Sequence, residues 1–258
     1  MSADAKGHPS GGSPRRYRLD VAYDGTAYAG WQVQPNGMTI QERLEATLDQ
    51  IVGTRPKVHG SGRTDQGVHA RRQVAHCDLT TRIACTSLQR ALNALLPADI
   101  RVLRLRRVTG DFHARKSAVG KEYRYFVWNS AVMPPVHRLY KTHVYRPLDE
   151  AAMQAAADHL VGRHDFAAFA SNSRRVLESS VRRVDELRIR RRGSELVLIA
   201  RGEGFLYKMV RSIMGLLIRV GEGTEAPRAA QEILASKTRT ARVPTAPPQG
   251  LFLWRVTY

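Results

Sequence analysis

The sequence predicts an α+β fold of two fused ferredoxin-like (RRM-like) βαββαβ units, forming an extended antiparallel sheet with helices on one face. Three observations predict it. Short runs alternate apolar and polar residues with a period of two, and longer runs repeat apolar residues at three and four. These runs follow the order β-α-β-β-α-β, and that order occurs twice. The chain has 258 residues, enough for two domains of ordinary size.

In the first unit, Tyr17, Leu19, Val21 and Tyr23 alternate with Arg18, Asp20 and Ala22, which reads as a half-buried strand over 17–23. Asp24-Gly25 ends it, and Tyr28 and Trp31 follow in a Gly-flanked loop. Thr39-Ile40-Gln41-Glu42 is a capping box, and Ile40, Leu44, Leu48 and Ile51 form a helical stripe that Gly53 stops. A short strand at 57–59 leads into a glycine-rich turn, 60–70, and Ala75, Cys77 and Leu79 mark the strand after it. A second capping box, Thr86 to Gln89, opens a helix with Leu88, Leu92 and Leu96 inward, ended by Pro97. Residues 100–108 close the unit as a strand.

The second unit opens with the strongly β-forming run 121–128, broken by Pro134-Pro135. Asp149 caps a helix with Met153, Ala157 and Leu160 inward. Residues 181–190 and 195–201 form a hairpin turning at 191–194. A long apolar helix spans 205–220, a shorter one 225–236, and after a Pro-rich loop the chain ends in a strand from Leu251. The expected organisation is a disordered tail at 1–14, a first domain at 15–110 and a second at 111–258, divided near Thr109-Gly110.

The formal net charge of +18 exceeds what solubility requires and points to a polyanion, nucleic acid being the commonest. No basic amphipathic helix suggests a membrane surface, and no run reaches eighteen apolar residues. Cys77 and Cys85 are too few for a disulfide scaffold, so both read as reduced fillers in a cytoplasmic protein. The nine histidines are scattered without metal-ligand spacing, so no metal is expected.

The candidate chemistry centres on Gly60-Ser61-Gly62-Arg63-Thr64-Asp65-Gln66-Gly67-Val68-His69-Ala70. A tight turn can fix one carboxylate, Asp65, with Arg63 two residues away. By itself the stretch also reads as an ordinary Asx-turn. Within the apolar helix, Arg211 is the anomaly: an arginine buried there needs a carboxylate partner, and Asp65 is the candidate, unless Arg211 reaches the surface along its aliphatic stem. Tyr123 and Tyr125 share a strand face, either as core or as a platform for a base. The arginines of 174–192, among them Arg174, Arg175, Arg191 and Arg192, are candidate phosphate contacts.

These residues resemble the tRNA pseudouridine synthase A family. The family turn usually reads GRTDAGVHA, and Gly62 to Ala70 matches it except at Gln66. Similar ordered matches lie at Tyr23-Asp24-Gly25-Thr26 with Gly30-Trp31-Gln32, at Asp111 to Arg115 with 121–125, at Gly204 to Arg211, and at Ala246-Pro247-Pro248 with Val256-Thr257-Tyr258. The resemblance spans nearly the whole chain. It implies isomerisation of uridine to pseudouridine at positions 38 to 40 of the tRNA anticodon stem-loop, without cofactor or metal, by a cytoplasmic homodimer with one tRNA contacting both subunits. It casts Asp65 as nucleophile, Tyr123 as the residue packing the target uracil, Arg211 as the partner of Asp65, and Arg63 as the residue that holds or replaces the flipped nucleotide. Two rivals are weaker. A non-catalytic pair of RRM-like modules lacks the aromatic RNP run, and a metal-dependent nuclease lacks further carboxylates near the turn.

Overall fold

The computed structural model describes residues 13–171 and 179–258. Its elements are, in order, β1 (Arg15–Tyr23), α1 (Ile40–Val52), β2 (His59–Gly60), β3 (His69–Leu79), α2 (Cys85–Leu95), β4 (Ile100–Arg107), β5 (Gly120–Asn129), β6 (Thr142–Val144), α3 (Glu150–Asp158), β7 (Gly162–Asp165), β8 (Val181–Arg192), β9 (Glu195–Gly202), α4 (Met209–Gly221), α5 (Ala229–Ser236) and β10 (Leu251–Thr257). The class is α+β, with five α-helices and one large sheet among the described residues.

The ten strands share that sheet, in the path β4-β1-β3-β10-β5-β9-β8-β7, with β2 against β3 and β6 against β5. Pairing is antiparallel except at β3–β10 and β5–β6. The period-two pattern of β1 sorts its faces as read from the sequence. Tyr17, Leu19, Val21 and Tyr23 are buried, and Leu19 and Tyr17 lie opposite Ala75 and Cys77 of β3. Arg18 and Asp20 point to the other face, where Arg72 of β3 reaches Asp20 at 3.0 Å. The apolar faces of the helices join the strands in one continuous core, with Leu44, Leu48, Leu88, Leu92, Met153, Ile213 and Leu217 all fully buried.

Local signals held at α1. Thr39 caps it by accepting the Glu42 amide, and Gly53 ends it at a φ of 73°. They failed elsewhere. The box at Thr86 to Gln89 does not form: α2 starts at Cys85 after Ala84, with no side-chain cap. Gln89 is drawn instead to β4, where its amide donates to the Val102 and Leu103 carbonyls. The apolar helix does not begin at 205. Lys208 stands in the left-handed region at a φ of 60°, so α4 starts at Met209. The shorter helix likewise starts late, at Ala229. Arg191 and Arg192 belong to β8, because the tight turn needs only Gly193 and Ser194. The short strand before the glycine-rich turn is His59–Gly60.

The two halves of the chain meet at the centre of the sheet. Phe252 and Leu253 of β10 pair in parallel with His69 and Ala70 of β3. The glycine-rich turn empties into β3 at this seam, which decides where its side chains point.

Candidate active site

The turn between β2 and β3 is held carbonyl by carbonyl. Lys121 Nζ donates to the Ser61 carbonyl at 2.9 Å, and Gln73 Nε2 to that of Gly62 at 3.0 Å. The Trp31 amide donates to Thr64 O at 3.1 Å, and the Val68 amide to Asp65 O at 3.1 Å. The Thr64 hydroxyl meets the buried Tyr23 hydroxyl at 2.8 Å, and Ser61 Oγ donates to Gln73 Oε1 at 2.6 Å. Gly67 takes a φ of 74°, the left-handed conformation its place in the motif predicts. The stretch is closed as a backbone β-turn, by the i to i+3 bond from the Val68 amide to the Asp65 carbonyl, and that bond fixes the main chain that carries the Asp65 carboxylate.

Arg211 completes it from the far half of the chain. It lies in the first turn of α4 and its side chain runs back toward the helix start. Nη1 donates to Asp65 Oδ2 at 2.9 Å and Nε to the Ala246 carbonyl at 2.8 Å. The two side chains are only 11% and 16% exposed, so Arg211 does not snorkel to the surface. The guanidinium holds one carboxylate oxygen, Oδ2, of a residue that lines the cleft.

Tyr123 of β5 is buried and packs edge-on against Phe205 at 5.3 Å. Burial first, then the neighbouring Tyr23 phenol and Asp65 carboxylate, push its phenol well above the ordinary tyrosine range, so it stays protonated. Among the described residues its hydroxyl has no hydrogen-bond partner, whereas the Tyr125 hydroxyl donates to Pro247 O at 2.7 Å and meets Thr142 Oγ1. The two tyrosines share a face and divide the roles weighed for them: Tyr125 is core and Tyr123 borders Asp65. Arg63 is exposed on the turn.

Asp65 and Arg211 open onto a cleft of about 550 Å³, lined also by Gly67, Arg138, Leu139, Tyr207, Lys208 and Gln249. Arg138 and Leu139 come from a segment after β5 that is anchored where Tyr140 donates to Asp24 Oδ2 at 2.7 Å. Tyr207 is 45% exposed on the rim, with the Lys208 ammonium 5.0 Å from its ring. Sequence reasoning missed these lining residues. Tyr207 and Lys208 stand inside the run that singled out Arg211, but a tyrosine next to a lysine carries no periodic signal. Only the strained φ of Lys208, invisible in sequence, marks the place.

Arg191 and Arg192 of the arginine patch are not brought to the cleft. Arg191 turns inward, bonding Glu150, Asn129 Oδ1 and the Leu148 carbonyl. Arg192 is exposed beside the β8–β9 turn, where Glu195 pairs with Trp128, five residues along β5 from Tyr123 and so about 17 Å away. Arg174 and Arg175 lie outside the described residues.

Comparison with known proteins identifies a family. Residues 21–115 and 156–258 match a family model described as tRNA pseudouridine synthase. A tRNA pseudouridine synthase A of Brevibacillus brevis is 44% identical over 244 residues, covering 95% of this chain and 100% of the relative. Its counterpart from Halalkalibacterium halodurans is 46% identical over 242 residues, covering 93% and 92%. One from Chlamydia trachomatis serovar A is 45% identical over 243 residues, covering 93% and 91%.

Proposed function

The chain belongs to the tRNA pseudouridine synthase family, and we propose that it acts at uridines 38 to 40 of the anticodon stem-loop with Asp65 as its nucleophile. It is an isomerase that converts uridine to pseudouridine in tRNA. The reaction breaks the N1–C1′ bond, turns the base and joins C5 to C1′, with the C5 hydrogen leaving as a proton and the freed N1 taking one up. Nothing is oxidised and no atom is added. The base must leave its stack to reach a carboxylate set back in the protein, and the cleft beside Asp65 receives it.

Each side chain has a task in that sequence. Arg211 holds and aims the Asp65 carboxylate while the glycosidic bond is broken. Tyr123 packs the uracil and offers a neutral hydroxyl for proton transfer. Arg63, exposed on a fixed turn, occupies the place the flipped nucleotide vacates. The observation that carries this reading is the Asp65–Arg211 pair: a turn of one half and a helix of the other meet at 2.9 Å beside an open cleft.

We read the sheet as two ferredoxin-like units divided near residue 110. The runs β4-β1-β3 and β10-β5-β9-β8 support that reading, because each repeats the strand order expected of a βαββαβ unit. We infer a homodimer that holds one tRNA across both subunits and works in the cytoplasm. Light scattering should give twice the chain mass of 28.9 kDa, and a monomer would contradict it. Site preference is tested by chemically mapping pseudouridine in unmodified tRNA treated with the protein. Modification should fall at positions 38 to 40, and modification elsewhere alone would overturn the assignment.

A further inference from the structure

Lys121 is a largely buried cation beneath the turn that the reaction above does not use. It stands two residues before Tyr123 on the same face of β5, and its ammonium is largely removed from water. Among the described residues it has no carboxylate partner. The charged groups that bear on it are Arg115, from the segment before β5, and Arg182 of β8, both of its own sign. Its backbone neighbours, Gly202 of β9 and Val256 of β10, bring no charge. Burial first, then the two arginines, push its pKa down to about 8.

An ammonium in such a place costs stability, so its contribution must be geometric. Nζ donates to the Ser61 carbonyl at 2.9 Å, and a Cβ added to Gly62 would lie 2.8 Å from it. The ammonium is thus wedged beneath the start of the turn. The other donors to turn carbonyls, Gln73, Trp31 and Val68, are neutral and come from the same half as the turn. Lys121, like Arg211, comes from the other half. Two cations therefore hold the turn at Ser61 and at Asp65, with Arg63 between them.

We propose that Lys121 is a positioning residue, whose hold on the Ser61 carbonyl sets the turn so that Arg63 and Asp65 meet the target nucleotide together. This rests on the turn being the catalytic one. The hold is charge-assisted below about pH 8 in the free protein and weakens as the amine loses its proton above that pH.

The test measures kcat, KM and tRNA affinity for wild type, Lys121→Met, Lys121→Arg and Asp65→Asn between pH 6.5 and 9.5. Lys121→Met is expected to lower kcat about 30-fold at pH 7, as a displacement of under an ångström does, with KM and affinity within about threefold. Lys121→Arg stays charged throughout and is expected to retain most of the rate. The ratio of wild-type to Lys121→Arg kcat/KM should then fall above pH 8, and titration of the uracil ring cancels in that ratio. A Lys121→Met variant with wild-type kcat, or one losing affinity and thermal stability in proportion to rate, would overturn the proposal. If Lys121→Met does not fold, the ratio decides alone, and a flat ratio overturns it. An active Asp65→Asn would refute the reading of the turn itself, whereas an inert Asp65→Asn beside a fully active Lys121→Met would refute only the role of Lys121.

Discussion

Replacing Arg211 with methionine keeps the apolar packing of α4 and removes two hydrogen bonds, 2.9 Å to Asp65 and 2.8 Å to Ala246. A hydrogen bond to a charged group is worth about 1.5–3 kcal/mol. With side chains 11% and 16% exposed, solvent screens the pair only slightly, and the low end of that range for both bonds gives a loss of about 3 kcal/mol. For a chain of this size that lowers Tm by roughly 6–12 °C. The catalytic effect is separate. Asp65 keeps its backbone, since Trp31, Gln73 and Val68 still hold the turn, but its carboxylate is released by about an ångström, which costs about 100-fold in rate. The assay is a single-turnover measurement at saturating tRNA, well below the lowered Tm, beside a binding measurement at the same salt. Rate should fall about 100-fold with affinity within threefold. Arg211→Lys should recover only part of the loss, because one ammonium cannot match the two directions of the guanidinium fork. Wild-type turnover in Arg211→Met would show that the pair is not needed and would refute the reasoning.

Other outcomes are as definite. Gly215→Ala should lower Tm by roughly 4–10 °C and reduce turnover, because its Cβ would lie 2.0 Å from the Pro244 carbonyl and displace the loop that reaches Arg211 through Ala246. Unchanged Tm and rate would show that the loop yields freely. Tyr123→Phe keeps the ring against Phe205 and loses a hydroxyl that has no partner among the described residues. It should bind tRNA normally and slow at least about 100-fold, and a normal rate would restrict Tyr123 to packing. His76 is held neutral to about pH 4 by burial and by neighbouring His113 and His59, below its unfolded value of 6.5. The unfolded chain therefore takes the proton first, and stability is lost as pH falls from 6.5 to 4. A Tm flat across that window, or an equal decline in His76→Gln, would contradict this. Affinity for tRNA should fall steeply with salt as phosphate contacts are screened, and a flat response would exclude the basic surface as the docking face.

The parts legible in sequence were those set by local chemistry. Tyr17 to Tyr23 announced a strand by alternation, Thr39 and Gly53 bounded a helix, and a buried arginine required a carboxylate, which located the Asp65–Arg211 pair across 146 residues. What stayed illegible depended on tertiary competition. Gln89 left its capping box for β4 carbonyls, Lys208 adopted a left-handed φ that delayed α4, and Arg191 turned from candidate phosphate contact to a partner of Glu150. Lys121 escaped notice because a lysine opening a strand reads as exposed, and only the approach of the turn buries it.

The central claim is that Asp65, held by Arg211, carries the isomerisation. It is tested most directly by tritium release from tRNA carrying 5-tritiated uridine, in excess EDTA, with wild type beside Asp65→Asn. Joining C5 to C1′ expels the C5 hydrogen, so release by wild type and none by Asp65→Asn, with tRNA bound equally by both, is the expected result. Release at equal rates from the two proteins would contradict the claim and leave the glycine-rich turn as scaffold.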